Sequence, residues 1–331
     1  MATRGFGHTL PTEVSQALNV SPMGRRRLLL GAGVAALLAG CGTVPVETVV
    51  PSLPPVITPP PVIAAVTRAP RLGLALGGGA ARGFAHVGVI QVLEEAGIKP
   101  DLVVGTSAGS LVGALYASGK NGAQLLTVAK TMEEAAFTDW TLPFVSRGMF
   151  RGEALARYVS EQLGGRKIQD MPMPLGIVAT DLNSGEGVLF QRGDTATAVR
   201  ASSAVPAVFM PVKIGAREYV DGGLVSPVPV RYARQMGAEV VLAVDISADP
   251  EGNLASDSLQ ILLQTTAIMG KSINHFELQD ANVVVRPRLN DVGSANFQAR
   301  LRSIEAGRKA MLAMLPKLKA EMLAKRQPAA Q

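Results

Sequence analysis

Cysteine, histidine and aromatic residues are the scarce components of this 331-residue chain. The single cysteine, Cys41, excludes an intrachain disulfide and any cysteine-rich zinc site. Three histidines (His8, His86 and His275) make a three-histidine metal centre only if all of them converge, so no metal and no other cofactor is expected. Aromatics at 4% leave few platforms for stacking single-stranded bases. Charged residues are 18% against 47% hydrophobic, the reverse of a disordered composition. Glycine (35) and proline (22) are plentiful, but without the Gly-X-Y period of a collagen rod. What remains is enough chain for one large folded domain or two small ones.

The net charge of +6 is unevenly placed. Residues 1–41 carry a surplus of three positive charges and residues 286–331 a surplus of seven, so the middle is acidic. A basic chain end reads first as a solvated helix face, with contact to anionic lipid as the functional alternative. No nucleic-acid motif accompanies the charge, and nucleic acid is not an expected partner.

Arg25-Arg26-Arg27 precedes a thirteen-residue apolar run, residues 28–40. Such a run is too short to span a hydrocarbon core and suits the h-region of a signal peptide. It ends in Leu38-Ala39-Gly40-Cys41, which resembles the lipobox of bacterial lipoproteins. That resemblance implies cleavage after residue 40, acylation of Cys41, and a lipid-anchored protein of the bacterial cell envelope facing the periplasm. The stretch before the run is long for a leader, so translation starts at Met23 or the n-region is extended. The arginines also loosely resemble a twin-arginine signal. Residues 43–70 hold eight prolines, which favour extended polyproline II and read as a semi-rigid spacer. The expected organisation is a signal peptide at 1–40, a tether at 41–70, a folded domain at 71–320 and a flexible tail at 321–331.

From Arg71 the pattern changes. The runs 72–76, 101–104, 175–179, 239–245 and 282–285 are short and continuously apolar, as strands buried on both faces are. Residues 84–96 show helical spacing closed by Gly97, and a second apolar helix is predicted over 111–117, ended by Gly119. Strands alternating with helices predict an α/β fold, a mostly parallel central sheet with helices on both faces.

Gly105-Thr106-Ser107-Ala108-Gly109 lies between one of these strands and a helix. A sharp strand-to-helix turn exposes a serine hydroxyl there, and the helix N-terminus offers free N–H groups. Gly77-Gly78-Gly79-Ala80-Ala81-Arg82-Gly83 makes a second such turn, whose successive amides can form an anion cradle. It fits a dinucleotide fingerprint poorly, because Arg82 stands where the third glycine belongs, and no Gly-Lys-Ser/Thr comes after it to make a Walker A loop. A serine nucleophile needs a base. His8 lies in the leader, His275 in a polar stretch, and His86 on the helix after the glycine turn, where it reads as structural. The scarcity of histidine favours a carboxylate, and Asp221-Gly222-Gly223, after a predicted strand at 217–220, supplies one, although a lone Asp-Gly-Gly is ordinarily a turn.

GGGAARG, GTSAG and DGG, in that order, resemble the motifs of the patatin-like phospholipases, bacterial members above all. The likeness covers roughly residues 70–315 and includes FAHVGVIQVLEEAGI, ATDLNSGEGVLF and the stretch from AVRASSAVPAVFMP to DGGLVSPVPV. It implies a three-layer patatin-like fold and a Ser-Asp dyad, Ser107 as nucleophile and Asp221 as base. It also implies an oxyanion hole from the amides of Gly78, Gly79, Ala80 and Ala108, with Arg82 shaping the loop or drawing a phosphate. The substrate implied is an ester of a phospholipid or lysophospholipid. Two departures stand out: Ala80 where many relatives have glycine, and Ser226 where asparagine often comes after the DGG. Two rival readings keep the same residues, acyl transfer from Ser107 to another acceptor and a lipoprotein that only binds lipid.

Overall fold

The computed structural model describes residues 67–133, 139, 147–250, 256–293 and 295–328. The leader, Cys41, His8 and the tether up to residue 66 lie outside the described residues. In chain order the strands are β1 (Thr67–Arg68), β2 (Leu72–Leu76), β3 (Leu102–Thr106), β4 (Gly148–Phe150), β5 (Leu175–Asp181), β6 (Gly187–Phe190), β7 (Ala207–Phe209), β8 (Val212–Ile214), β9 (Arg217–Asp221), β10 (Val240–Val244), β11 (Val283–Val285) and β12 (Gln327–Pro328). The helices are α1 (Ala85–Glu95), α2 (Ala108–Ala117), α3 (Gly122–Thr131), α4 (Glu153–Leu163), α5 (Thr195–Ser202), α6 (Val230–Gln235), α7 (Ser258–Glu277) and α8 (Arg300–Ala324).

Eight strands form the central sheet in the order β11-β10-β2-β3-β5-β9-β8, with β6 also paired to β5. The pairs from β11 to β5 are parallel, while β9, β8 and β6 add antiparallel neighbours at one side. Every residue of β2, β3, β5 and β10 is buried, as their unbroken apolar sequences require. Their side chains alternate between two cores. Leu72, Leu74, Leu76, Val103, Leu242 and Val244 face the larger one, packed with α1, α2 and α8. Ala75, Val104, Val241 and Ala243 face the smaller one under α6. This is the mostly parallel α/β sheet covered on both faces that the strand pattern predicts.

The basic chain end is partly structural. In α8, Ile304, Met311 and Leu318 are buried. α8 crosses α1 closely, since a Cβ on Gly88 would strike the Ile304 carbonyl and one on Gly307 the Ala85 carbonyl. Arg308 pairs with Glu95 at 2.7 Å, and Arg300 donates to the Met132 carbonyl, also at 2.7 Å. The domain limits expected from sequence need correction at both ends. Thr67–Arg68 already form a strand, and α8 runs on to Ala324 before Gln327–Pro328 pair antiparallel with β1, so residues 321–328 are not a flexible tail. Backbone ladders and the Arg68–Gln327 hydrogen bond at 2.8 Å fix that end.

Candidate active site

β3 ends at Thr106, and α2 starts at Ala108, three residues earlier than the predicted helix. Ser107 alone makes the turn, at φ 52° and ψ −121°, a region L-residues enter only under constraint. Glycines make room on both sides. A Cβ on Gly105 would fall on the Gly109 carbonyl, and one on Gly109 would fall on that of Leu76. The backbone of Ser107 is then pinned. Its N–H donates to Ser202 Oγ at 2.8 Å, and Ser202 Oγ donates to the Val178 carbonyl at 2.5 Å. The Ser107 carbonyl accepts from Ser110 Oγ at 2.6 Å. Ser202 carries no role legible in the sequence; a side chain that bonds a backbone 95 residues away leaves no local signal.

Asp221 is the last residue of β9, in register with Ala179 of β5. Gly222 lets the strand end press against β5 and β3, since a Cβ there would meet the Val178 carbonyl and Thr106 Cγ2. The Asp221 carbonyl accepts from Thr180 Oγ1 at 2.8 Å, and its carboxylate accepts the Gly223 N–H at 2.7 Å. The Ser107 hydroxyl lies close enough to this carboxyl to favour its charged form. Asp221 is buried, and that desolvation lifts its pKa to about 6, against the opposing pull of Gly223 and Ser107. Residues 114 apart in sequence are thus brought together at the ends of two strands, β3 and β9, that flank β5 on either side.

Ser226, the departure after the DGG, is fully buried. Its hydroxyl donates to Glu277 Oε1 at 2.9 Å, and its carbonyl accepts from Thr106 Oγ1 at 2.9 Å. Burial raises the Glu277 pKa, opposed by hydrogen bonds from the Arg231 N–H and Ser226. The Asp-Gly-Gly loop is therefore tied to α7 on one side and to the strand end beside Ser107 on the other.

The glycine turn comes after β2, parallel neighbour of β3. Gly78 comes closest to the nucleophile: a Cβ added there would lie only 3.2 Å from Ser107 Cβ. Its N–H, however, donates to the Pro227 carbonyl at 2.9 Å, so Gly78 is not an available oxyanion donor as expected. The Arg82 N–H is likewise used, by the Gly79 carbonyl at 3.1 Å, and Arg82 Nε donates to the Ile246 carbonyl at 2.9 Å. Among the described residues the N–H groups of Gly79, Ala80 and Ala108 have no carbonyl partner. Ala80 sits at φ 49°, which gives the physical reason a glycine suits that position. Gly83 packs against Ala108, where a Cβ would lie 2.8 Å from the alanine's own.

Neither described histidine touches this pair. His86 is fully buried on α1, its Nε2 donating to the Gly77 carbonyl at 2.8 Å, and desolvation pushes its pKa down to about 4. His275 lies on the exposed side of α7, beside the Phe276 ring. Among the described residues no group of His, Cys, Asp and Glu could hold a metal ion.

Residues 74–234 match the family model described as patatin-like phospholipase. An uncharacterized NTE family protein of Mycobacterium tuberculosis is 34% identical over 208 residues, 60% of this chain and 58% of its own length. The human patatin-like phospholipase domain-containing protein 6 is 35% identical over 199 residues, 57% of this chain and 14% of its own length. The chain thus spans little more than half of one relative and a small part of the other. In fold it is similar to VipD from Legionella pneumophila, with a TM-score of 0.52, 14% identity, and coverage of 78% of this chain and 68% of that one. Taken with the two turns and the strand order, these matches make residues 74–234 of this chain similar to the patatin-like phospholipases.

Proposed function

We propose that this protein is a membrane-anchored serine hydrolase that cleaves carboxylic esters of phospholipids or lysophospholipids. The observation that carries the reading is the Ser107 hydroxyl on its strained turn, facing a buried Asp221 with neither described histidine in contact. Ser107 Oγ attacks the ester carbonyl carbon while its proton passes to the Asp221 carboxylate. Negative charge then develops on the carbonyl oxygen, where the free N–H groups of Gly79, Ala80 and Ala108 stabilise it. One such donor is worth about 3 kcal/mol in comparable acyl transfers. The leaving alcohol takes the proton from Asp221, and an acyl-serine remains. Water attacks that ester, Asp221 accepting its proton, and the fatty acid and free Ser107 are released.

The anchor proposed is diacylglycerol on the Cys41 thiol, which holds the domain at the surface of the bacterial cell envelope. Lipid chains contribute about 0.8 kcal/mol per buried methylene, so such an anchor concentrates the enzyme where its substrate lies.

The test is to incubate purified protein with mixed phospholipid vesicles and identify the products by mass spectrometry, alongside labelling by a fluorophosphonate. Free fatty acid with a matching lysolipid, and a label on Ser107, are expected. A folded protein that neither takes the label nor releases fatty acid overturns the reading, and acyl groups delivered to an added alcohol in preference to water convert it to a transferase.

A further inference from the structure

α7 breaks the usual rule for a helix on a protein surface, whose solvent side is charged. Its residues 258–270 contain no charged side chain at all. Ile261, Leu262, Ile268, Met269 and Phe276 are all exposed, Phe276 by 70% and Ile261 by 56%. At 3.6 residues per turn these five fall within a sector of about 120°, shared only with serine and threonine.

The helix is held mainly by its second half, with Gln264 Nε2 in the first half donating to the Pro250 carbonyl at 2.6 Å. Its buried positions, Gly270, Asn274 and Glu277, all lie in the last eight residues. Gly270 packs on Pro227, Asn274 Nδ2 donates to Ser247 Oγ at 2.9 Å, and Glu277 holds Ser226. Those partners flank the strand ends that carry Ser107 and Asp221. Beyond Glu277 the chain turns back, and by Asn282 its N–H reaches the Val241 carbonyl near the opposite end of β10. The first twelve residues of α7, about 18 Å of helix, therefore extend the other way, past the edge of the sheet where the serine opens.

We infer that the exposed apolar sector of α7 is a docking surface for a phospholipid bilayer, on which the helix lies with that sector immersed. The inference rests on the lipid hydrolase reading for its logic of position: a helix tied to the Asp-Gly-Gly loop brings that loop to the lipid it acts on. Charge supports a lipid over a protein partner. The same sheet edge carries exposed Arg217 and Arg286, whose acidic partners Asp181 and Asp245 are themselves buried, so the guanidiniums face outward as phosphate partners. Arg288, two residues after Arg286, is also exposed. An uncharged apolar sector on a helix beside a sheet edge that carries exposed cations suits an interfacial role, and no described helix is long and apolar enough to cross a membrane.

The experiment uses the full chain with Cys41→Ser, which carries no acyl anchor, and vesicles of phosphatidylcholine with a minority of phosphatidylglycerol. The double variant Ile261→Ser/Ile268→Ser is expected to bind vesicles in sedimentation about tenfold more weakly, because two large apolar side chains no longer enter the interface. Hydrolysis of a water-soluble short-chain ester is expected to stay within about twofold, since neither residue touches the site. Met269→Trp is expected to show a blue shift in emission on vesicles, a readout that needs no loss of binding. Unchanged vesicle binding by the double variant, or no shift from the new tryptophan, overturns the inference. So does a parent dimer that the double variant converts to a monomer with vesicle binding intact. A chain inert toward every ester that still loses vesicle binding in the double variant defeats the hydrolase reading and leaves the docking surface standing.

Discussion

The turns after β2 and β3 leave neighbouring parallel strands at the same edge of the sheet, yet they solve different problems. The first uses three glycines, Gly77 to Gly79, to place backbone amides, and passes through a short 3-10 turn before α1 begins. The second enters α2 at once and concentrates its distortion on Ser107. Each holds one non-glycine residue at positive φ, Ala80 at 49° and Ser107 at 52°. Under the proposed function, only at Ser107 does the side chain have a use that offsets the strain. Their buried titratable neighbours also differ in sign. His86 behind the first turn is kept neutral by burial, whereas burial makes the Asp221 charge beside the second costly. On the proposed function, one turn is scaffolding that presents N–H groups and the other holds the reactive group.

The sharpest way to break this contrast is at the base. Asp221→Asn is expected to lower kcat/KM by about a thousandfold or more, close to Ser107→Ala, because members of one catalytic unit are strongly non-additive. His86→Ala and His275→Ala are expected to keep most activity wherever circular dichroism shows them folded. A folded histidine variant that is dead, with Asp221→Asn still active, reverses the roles given to the two turns.

The next effect is one of pH. The base must be ionised, so kcat/KM is expected to fall about tenfold per unit below pH 6 and to level off above it. An ordinary imidazole titrates near 6.5, so burial of Asp221 nearly erases the difference in profile, and the variants carry the distinction. Stability runs the opposite way. A carboxyl whose folded pKa is raised favours the fold below its unfolded value, and that contribution is lost as pH rises from 3.8 to about 6. His86, with its folded pKa lowered, stabilises the fold above 6.5 and loses that contribution as pH falls toward about 4. The two slopes oppose each other between pH 4 and 6. Asp221→Asn is expected to be more stable than the parent at pH 8 by about 1–2 kcal/mol in urea melts, with the gap vanishing at pH 4.

The smallest effect compares the strain in the turns directly. Ala80→Gly relieves a left-handed residue at about 1–2 kcal/mol and gives back part of that in unfolded-chain entropy. A rise in Tm of about 2 °C with activity kept is expected. Ser107→Gly is expected to raise Tm similarly with no activity. Equal activity loss in both would mean that the methyl of Ala80 shapes the site.

The parallel strands and both turns were legible because their sequences are short unbroken runs of Val, Leu and Ala stopped by glycine. The antiparallel additions β6 and β8 were not, being three or four residues long and without clear alternation. The place of Ser107 at a strand-to-helix turn and of Asp221 at a strand end could be read from their motifs. The commitment of the Gly78 amide to Pro227 could not, because it joins segments that only the folded sheet makes neighbours. The exposure of α7 was equally hidden: a run of apolar residues says helix or strand, but which of them meet water is settled by where the anchoring half is fastened.

The pairing of Thr67–Arg68 with Gln327–Pro328 has a consequence for the domain as a building block. Arg68 adds a two-pronged ion pair to Glu239, so entry and exit are clasped to each other and to the start of β10. A unit whose two ends emerge side by side can be spliced into a longer polypeptide, or circularly permuted there, without stretching any strand of its sheet. Such a clasp makes the domain portable: the segments on either side of it leave through one door, and the reactive edge keeps its geometry whatever is attached.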